Sequence, residues 1–161
     1  MPDLAIHAMS EADLASGIEL LRRQLDEHAI DLADTALLNA VRGILDKPER
    51  GRILVVSRGE RVVGVAVLSF LWTLEHGGQA AWLDELYVEP NQRRLGIGRK
   101  LVQASMQAAL EAGCKTLDLE VEDGHEEATR LYEGLGFNRH RRTRWVIPLA
   151  EAAGRQRGNL V

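Results

Sequence analysis

The stretch Asp84–Leu101, DELYVEPNQRRLGIGRKL, constrains this 161-residue chain more than any other. Leu86, Tyr87 and Val88 favour a strand, and Pro90 ends it because proline has no N–H to give the ladder. Arg93 and Arg94 precede Gly96-Ile97-Gly98, and an amphipathic helix follows. A glycine-containing turn lets the backbone come close to an anion. The unpaired N–H groups and dipole of the helix start then favour phosphate. The first expectation is therefore a phosphate-bearing ligand. Taken alone, Arg93-x-x-Gly96-x-Gly98 also reads as an ordinary glycine turn. Its place between a strand and a helix sharpens the reading.

The rest of the chain supplies a mixed sheet with helices on its faces. Leu4–Met9 alternates as a first strand, and Ser10 with Asp13 is a capping pair. Leu14, Ile18, Leu21 and Leu25 recur at helical spacing over roughly 11–28. A second helix opens at Asp34 or Thr35, with Leu37, Leu38, Val41, Ile44 and Leu45 inward, and Pro48 and Gly51 stop it. A hairpin follows, with strands at 53–56 and 62–72, and Gly64 marks a bulge or a close backbone approach. The helix after Gly98 turns Leu101, Ala104, Ala108 and Ala112 inward, with Val102, Ser105 and Ala109 beside them. Lys115–Val121 alternates as a strand, a helix covers about 125–135, and Phe137–Leu149 reads as one or two last strands. The order of strands and helices predicts one domain over 1–150 and a mobile tail over 151–161.

Composition narrows the class. The net charge of -4 argues against a nucleic-acid partner, which asks for a basic surface. The lone Cys114 excludes an internal disulfide and suits a reducing compartment. No secretory leader or run of about 20 apolar residues is visible, so the expectation is a cytoplasmic protein without a membrane partner. The five histidines show no metal-ligand spacing, and no metal is expected.

A second element is Ala128-x-x-x-Tyr132-x-x-x-Gly136-Phe137. Alone it is a surface tyrosine and a helix-terminating glycine. Following the first element across one strand, it makes the run LDELYVEPNQRRLGIGRKLVQASMQAALEAGCKTLDLEV, then ATRLYEGLGF, which resembles the GNAT superfamily of acyl-CoA-dependent N-acetyltransferases over about residues 62–137. The resemblance implies an α/β fold with a mixed six- or seven-stranded sheet, splayed between the strands at 80–89 and 115–121. It implies acetyl-CoA as co-substrate. The backbone of Leu86 and Val88 would pair with the pantetheine arm, and the Val88 N–H would face the thioester oxygen. The N–H groups of Arg93, Arg94, Leu95, Gly96, Ile97, Gly98 and Arg99 would cradle the pyrophosphate, and Tyr132 would sit beside the sulfur. Two residues depart from the pattern. Arg94 stands where many members have glycine, and His125 where many have asparagine, which puts one pantetheine contact in question. A homodimer is implied by the resemblance only.

The chemistry then has residues to draw on. An alkyl amine with a pKa of about 10.4 arrives protonated and must lose a proton before it attacks. A backbone N–H suits the oxyanion that forms, and Tyr132 suits protonation of the leaving thiolate. Asp84 and Glu85 are the candidate bases; as strand neighbours they should face opposite ways unless a bulge intervenes. Solvated carboxylates, or partners for nearby arginines, are the competing reading of both. Asp26, Glu27, Asp84, Glu85, Glu120, Glu122 and Asp123 would favour a cationic amine if they line one cleft, and mark only an acidic surface if they do not. LDELYV with the late Trp145 is similar to the spermidine/spermine and thialysine-acetylating branch, where adjacent acids and a late tryptophan help hold the polyamine. Trp145 reads equally as a core or interface aromatic. The expected substrate is a small-molecule primary amine of polyamine, diamine or lysine-like type. A protein N-terminus or lysine, an amine antibiotic, and a non-catalytic acyl-CoA sensor are the alternatives.

Overall fold

The computed structural model describes residues 3–158, which divide into two compact units between Asp123 and Gly124. In the first unit, β1 (Leu4–Ala8), β2 (Gly51–Arg58), β3 (Arg61–Thr73), β4 (Gly78–Val88) and β5 (Leu117–Leu119) form one sheet in that spatial order. The first four strands are antiparallel neighbours, and β5 runs parallel to β4. Ile53–Val56 and Val62–Leu68 are buried at nearly every position, so both faces of the sheet are covered.

Helices α1 (Leu14–Glu27) and α2 (Asp34–Leu45) cover one face. Leu20, Leu21, Leu25, Leu37 and Val41 pack there with Ile53, Val55, Val65, Val67 and Tyr87. Ser10 and Asp13 cap the 3-10 turn Glu11–Asp13 that runs into α1: the Asp13 carboxylate accepts from the Ser10 N–H at 2.8 Å and from its hydroxyl at 2.6 Å. Leu38 lies on the solvent side of α2, 38% exposed, although its spacing suggested the core. Helix α3 (Ile97–Glu111) packs against β2, β3 and β4. Its buried residues are Ile97, Leu101, Val102, Ser105 and Ala109, so the inner face centres on the residues expected beside the alanine row, while Ala104, Ala108 and Ala112 are only partly buried.

Two bulges shape the sheet. Val63 is the extra residue between the pairs Val56–Gly64 and Ser57–Val62, and a side chain on Gly64 would come within 3.2 Å of the Tyr87 carbonyl. Asp84 is the extra residue between Val67–Glu85 and Leu68–Leu83. Strand β5 is shorter than the alternation of 115–121 suggests, because it pairs with β4 only from Ala81 to Leu83.

The second unit contains α4 (Glu126–Glu133) and α5 (Leu149–Gly158). Among the described residues the sheet has five strands, not six or seven. Residues 138–148, expected to supply the others, form neither strand nor helix. Arg139, Arg141, Arg142 and Arg144 crowd like charges together, and Trp145, Val146 and Ile147 are 90%, 84% and 59% exposed, so no buried face supports a strand there. Of residues 151–161, expected as a tail without a core pattern, 151–158 belong to the helix that starts at Leu149, and 159–161 lie outside the described residues.

Candidate active site

The site is built on the half of β4 that outruns β5. Beyond Leu83, β4 has β3 on one side and no strand on the other among the described residues. The Glu89 N–H donates to the Val63 carbonyl at 3.0 Å, toward β3. By the alternation of an extended backbone, Leu86 and Val88 turn their N–H and C=O groups to the open side. The Val88 carbonyl there accepts from Arg93 Nε at 2.8 Å. These are the two residues expected to pair with an extended ligand.

The bulge at Asp84 changes the geometry of the paired acids. Glu85 pairs with Val67 and so shares the α1 face of the sheet with Val67 and Tyr87. Ser69 is on that face too, two residues along β3, and its hydroxyl donates to Asp84 Oδ2. Both carboxylates therefore turn to one side, where strict alternation would have sent them apart. Asp84 is exposed, whereas Glu85 is half-buried and takes a hydrogen bond from Gln24 Nε2 of α1. Burial, then the charge of Asp84, holds the Glu85 carboxyl above its ordinary value of 4.5, with His28 acting against them.

Helix α1 braces this half of β4 along its length. Arg23 reaches Glu89 at 3.4 Å, Gln24 reaches Glu85, and Glu27 accepts from the Tyr87 hydroxyl at 3.3 Å. Glu89, 3% exposed, also takes Arg61 at 2.7 Å. His28, just past α1, pairs with Glu122 at 3.3 Å. Glu27 is engaged by Arg93 at 3.0 and 3.2 Å, and the Arg93 guanidinium lies 5.2 Å from the Tyr87 ring. The Arg93 side chain thus ties the turn to α1 and β4. Asp26 is exposed near the end of α1.

After a short turn at Pro90–Gln92, the chain enters α3 through two left-handed residues, Arg94 (φ 67°) and Gly96 (φ 76°). The glycine expected at position 94 answers that backbone, and the chain places arginine there instead. A side chain on Gly96 would meet nothing within 4 Å. The first N–H groups of α3 have no acceptor within the helix, so Leu95–Arg99 presents backbone donors and a positive dipole end. These residues fit a pyrophosphate.

In the second unit, Tyr132 stacks edge-on with Phe137 at 5.6 Å, and burial pushes its phenol up to about 12. The phenol therefore keeps its proton and is a donor at ordinary pH. His125 is the exposed residue before α4, and its carbonyl accepts the Thr129 N–H at 3.1 Å. Trp145 is 90% exposed, so within this unit it is no core aromatic.

The first unit gathers Asp84, Glu85, Leu86, Val88, Glu27 and the turn at 93–99 around one stretch of chain. Sequence reading overlooked Gln24, Ser69, His28 and Glu89. Gln24 carried a signal, as an amide inside the apolar row Leu20, Leu21, Leu25. Glu89 and Ser69 carried none, because their partners are far along the chain.

Residues 15–137 match the Acetyltransferase (GNAT) family. The chain belongs to that family and is an acetyltransferase. It is 28% identical over 144 residues to the glucosamine 6-phosphate N-acetyltransferase of Trypanosoma brucei brucei, covering 87% of this chain and 92% of that one. It is 36% identical over 83 residues to the thialysine N-epsilon-acetyltransferase of Mus musculus, covering 50% of this chain and 46% of that one. An aminoglycoside N-acetyltransferase in complex with CoA has the same fold, with a TM-score of 0.79 at 18% identity over 91% of this chain and 95% of that one. No helix among the described residues is long and apolar enough to cross a membrane.

Proposed function

We propose that this acetyltransferase moves an acetyl group from acetyl-CoA to a primary amine of a small cationic molecule of polyamine, diamine or lysine-like type. The observation that carries this reading is the bulge at Asp84, which sets two carboxylates on one face where β4 loses its β5 neighbour. Acetyl-CoA supplies an activated acyl carbon when bound. The N–H groups of Leu95–Arg99 would hold its pyrophosphate, the Arg93 N–H being given to the Pro90 carbonyl at 3.3 Å, and the open-side backbone of Leu86 and Val88 would align its pantetheine arm. The Val88 N–H would be the donor for the thioester oxygen, on the family resemblance.

Glu85 takes the proton from the ammonium, directly or through one water. The elevated proton affinity of its carboxyl suits that task better than an ordinary glutamate would. Asp84 adds negative charge beside it, which favours a cation at this face. Tyr132, a phenol that holds its proton, is assigned to the departing thiolate on the family resemblance. Trp145 is assigned to substrate on the same ground, and Asp26 and Glu27 as further negative charge for a cation, Glu27 less so because Arg93 already engages it.

The relative that acts on thialysine supports a lysine-like amine, while the relative that acts on glucosamine 6-phosphate supports an amino sugar as the second reading. A steady-state thiol-release assay with spermidine, a diamine, thialysine, glucosamine 6-phosphate and an amino-terminal peptide separates them. The first three should turn over with kcat/KM at least tenfold above the others. Preference for the amino sugar or the peptide would reject the cationic small-molecule reading.

A further inference from the structure

Gln24 sits at a position that packing alone does not explain. It is 6% exposed on the inner face of α1, beside Leu20, Leu21 and Leu25. An apolar side chain of the same size would bury there without loss, whereas a buried amide must find partners for both ends. Its Nε2 donates to Glu85 Oε2. Its Oε1 is buried and has no hydrogen-bond partner among the described residues. So a core position carries an amide whose one protein partner is a carboxylate of the site, with an acceptor left over.

We infer that Gln24 is a positioning residue for Glu85, fixing its carboxylate on the unpaired half of β4 and serving it in both of its protonation states. This rests on Glu85 being the base of the proposed reaction. When Glu85 is ionised, the amide N–H donates to it. When Glu85 takes the proton, the N–H bond of the ammonium breaks, its electron pair stays on nitrogen and an O–H bond forms on the carboxyl. That O–H can then donate to an amide rotated to offer Oε1, the acceptor now unpartnered. The carboxyl is thereby held in place through the transfer.

Other groups facing Glu85 have different roles. Asp84, on the same strand, and burial both oppose its ionisation, and His28 past α1 favours it. Glu122 pairs with that histidine. From β3, Ser69 presents a hydroxyl to Asp84. Farther along β4, Glu27, Arg93 and Tyr87 satisfy one another, as do Glu89, Arg23 and Arg61. Gln24 is the neutral group that touches the Glu85 carboxylate itself.

The test is Gln24→Met, an uncharged side chain of similar length, with Gln24→Leu as a second variant should the first not fold. The Glu85 carboxyl is titrated by carbon-13 NMR, assigned by its loss in Glu85→Gln, and kcat/KM is measured against pH. Removing the N–H donor should raise the Glu85 midpoint by about one unit. The acid limb of kcat/KM should move with it, while KM for acetyl-CoA stays within twofold. A role in packing alone would change the melting temperature and leave both midpoints in place, which would overturn the inference. The two readings fail separately. If Glu85→Gln keeps full activity, Glu85 is not the base. If that variant is inactive but the midpoints ignore Gln24, the positioning role is wrong and the base assignment stands.

Discussion

At residue scale Glu85 carries the proposed chemistry. Its folded carboxyl binds a proton more tightly than the 4.5 of an ordinary glutamate, chiefly through burial and then through Asp84. A raised carboxyl works against stability once ionised: the folded state binds more protons than the unfolded one between the two midpoints, so stability falls as pH rises through that window. Glu85→Gln should therefore raise the melting temperature at neutral pH, with the gain vanishing below the unfolded midpoint. Thermal melts across pH check this, and an equal gain at every pH would contradict it. The same change should lower kcat/KM by about 10²-fold or more, as for loss of a general base. Asp84→Asn should cost about tenfold, since Asp84 is exposed and engaged with Ser69. Equal small effects would remove both from the role of base. Tyr132→Phe should lower kcat by about 10²-fold with KM for acetyl-CoA unchanged. An unchanged kcat would remove Tyr132 from the mechanism.

At element scale the strand–turn–helix over 84–101 was legible, because proline, glycine and helical periodicity are local signals. The bulge at Asp84 was not, since it is a mismatch of register between β3 and β4 that neither strand spells out. Nor was the clasp of α1 on β4, because Gln24–Glu85 and Arg23–Glu89 join residues 61 and 66 positions apart. The last strands, expected over Phe137–Leu149, do not form: residues 138–148 are neither strand nor helix, and Trp145, Val146 and Ile147 are exposed. The two glycines of the turn make opposite predictions. Gly96 has φ 76° and open space around it, so Gly96→Ala should cost about 1 kcal/mol through backbone strain alone. Gly98 lies within α3, where alanine is the better helix former, so Gly98→Ala should stabilise by about 0.5–1 kcal/mol. On the proposed phosphate site its added methyl would stand against the approaching phosphate, so KM for acetyl-CoA should rise severalfold. Denaturant unfolding and acetyl-CoA titration read the two effects apart. A Gly98→Ala enzyme that is both more stable and undiminished in cofactor binding would remove the turn from the phosphate site.

At the scale of the whole molecule, the family assignment covers residues 15–137, and the sequence reading reached it through motifs inside that span. Substrate choice was less legible, because it depends on which acids the fold gathers. Asp84 and Glu85 share a face, while Glu27 is engaged by Arg93 and Asp26 stands exposed. The homodimer implied by the resemblance is checked by sedimentation: one species at twice the chain mass is expected, and a monomer at micromolar concentration would refute it. The central claim is that this face of β4 deprotonates a small cationic amine for attack on acetyl-CoA, with Glu85 as the base. Its most direct test is thiol release from acetyl-CoA by wild type and Glu85→Gln, with spermidine and thialysine as acceptors. Turnover by the wild type, reduced about 10²-fold in the variant with acetyl-CoA binding intact, is the predicted result. Tight acetyl-CoA binding with no turnover on either amine, or a Glu85→Gln enzyme as fast as the wild type, would contradict it.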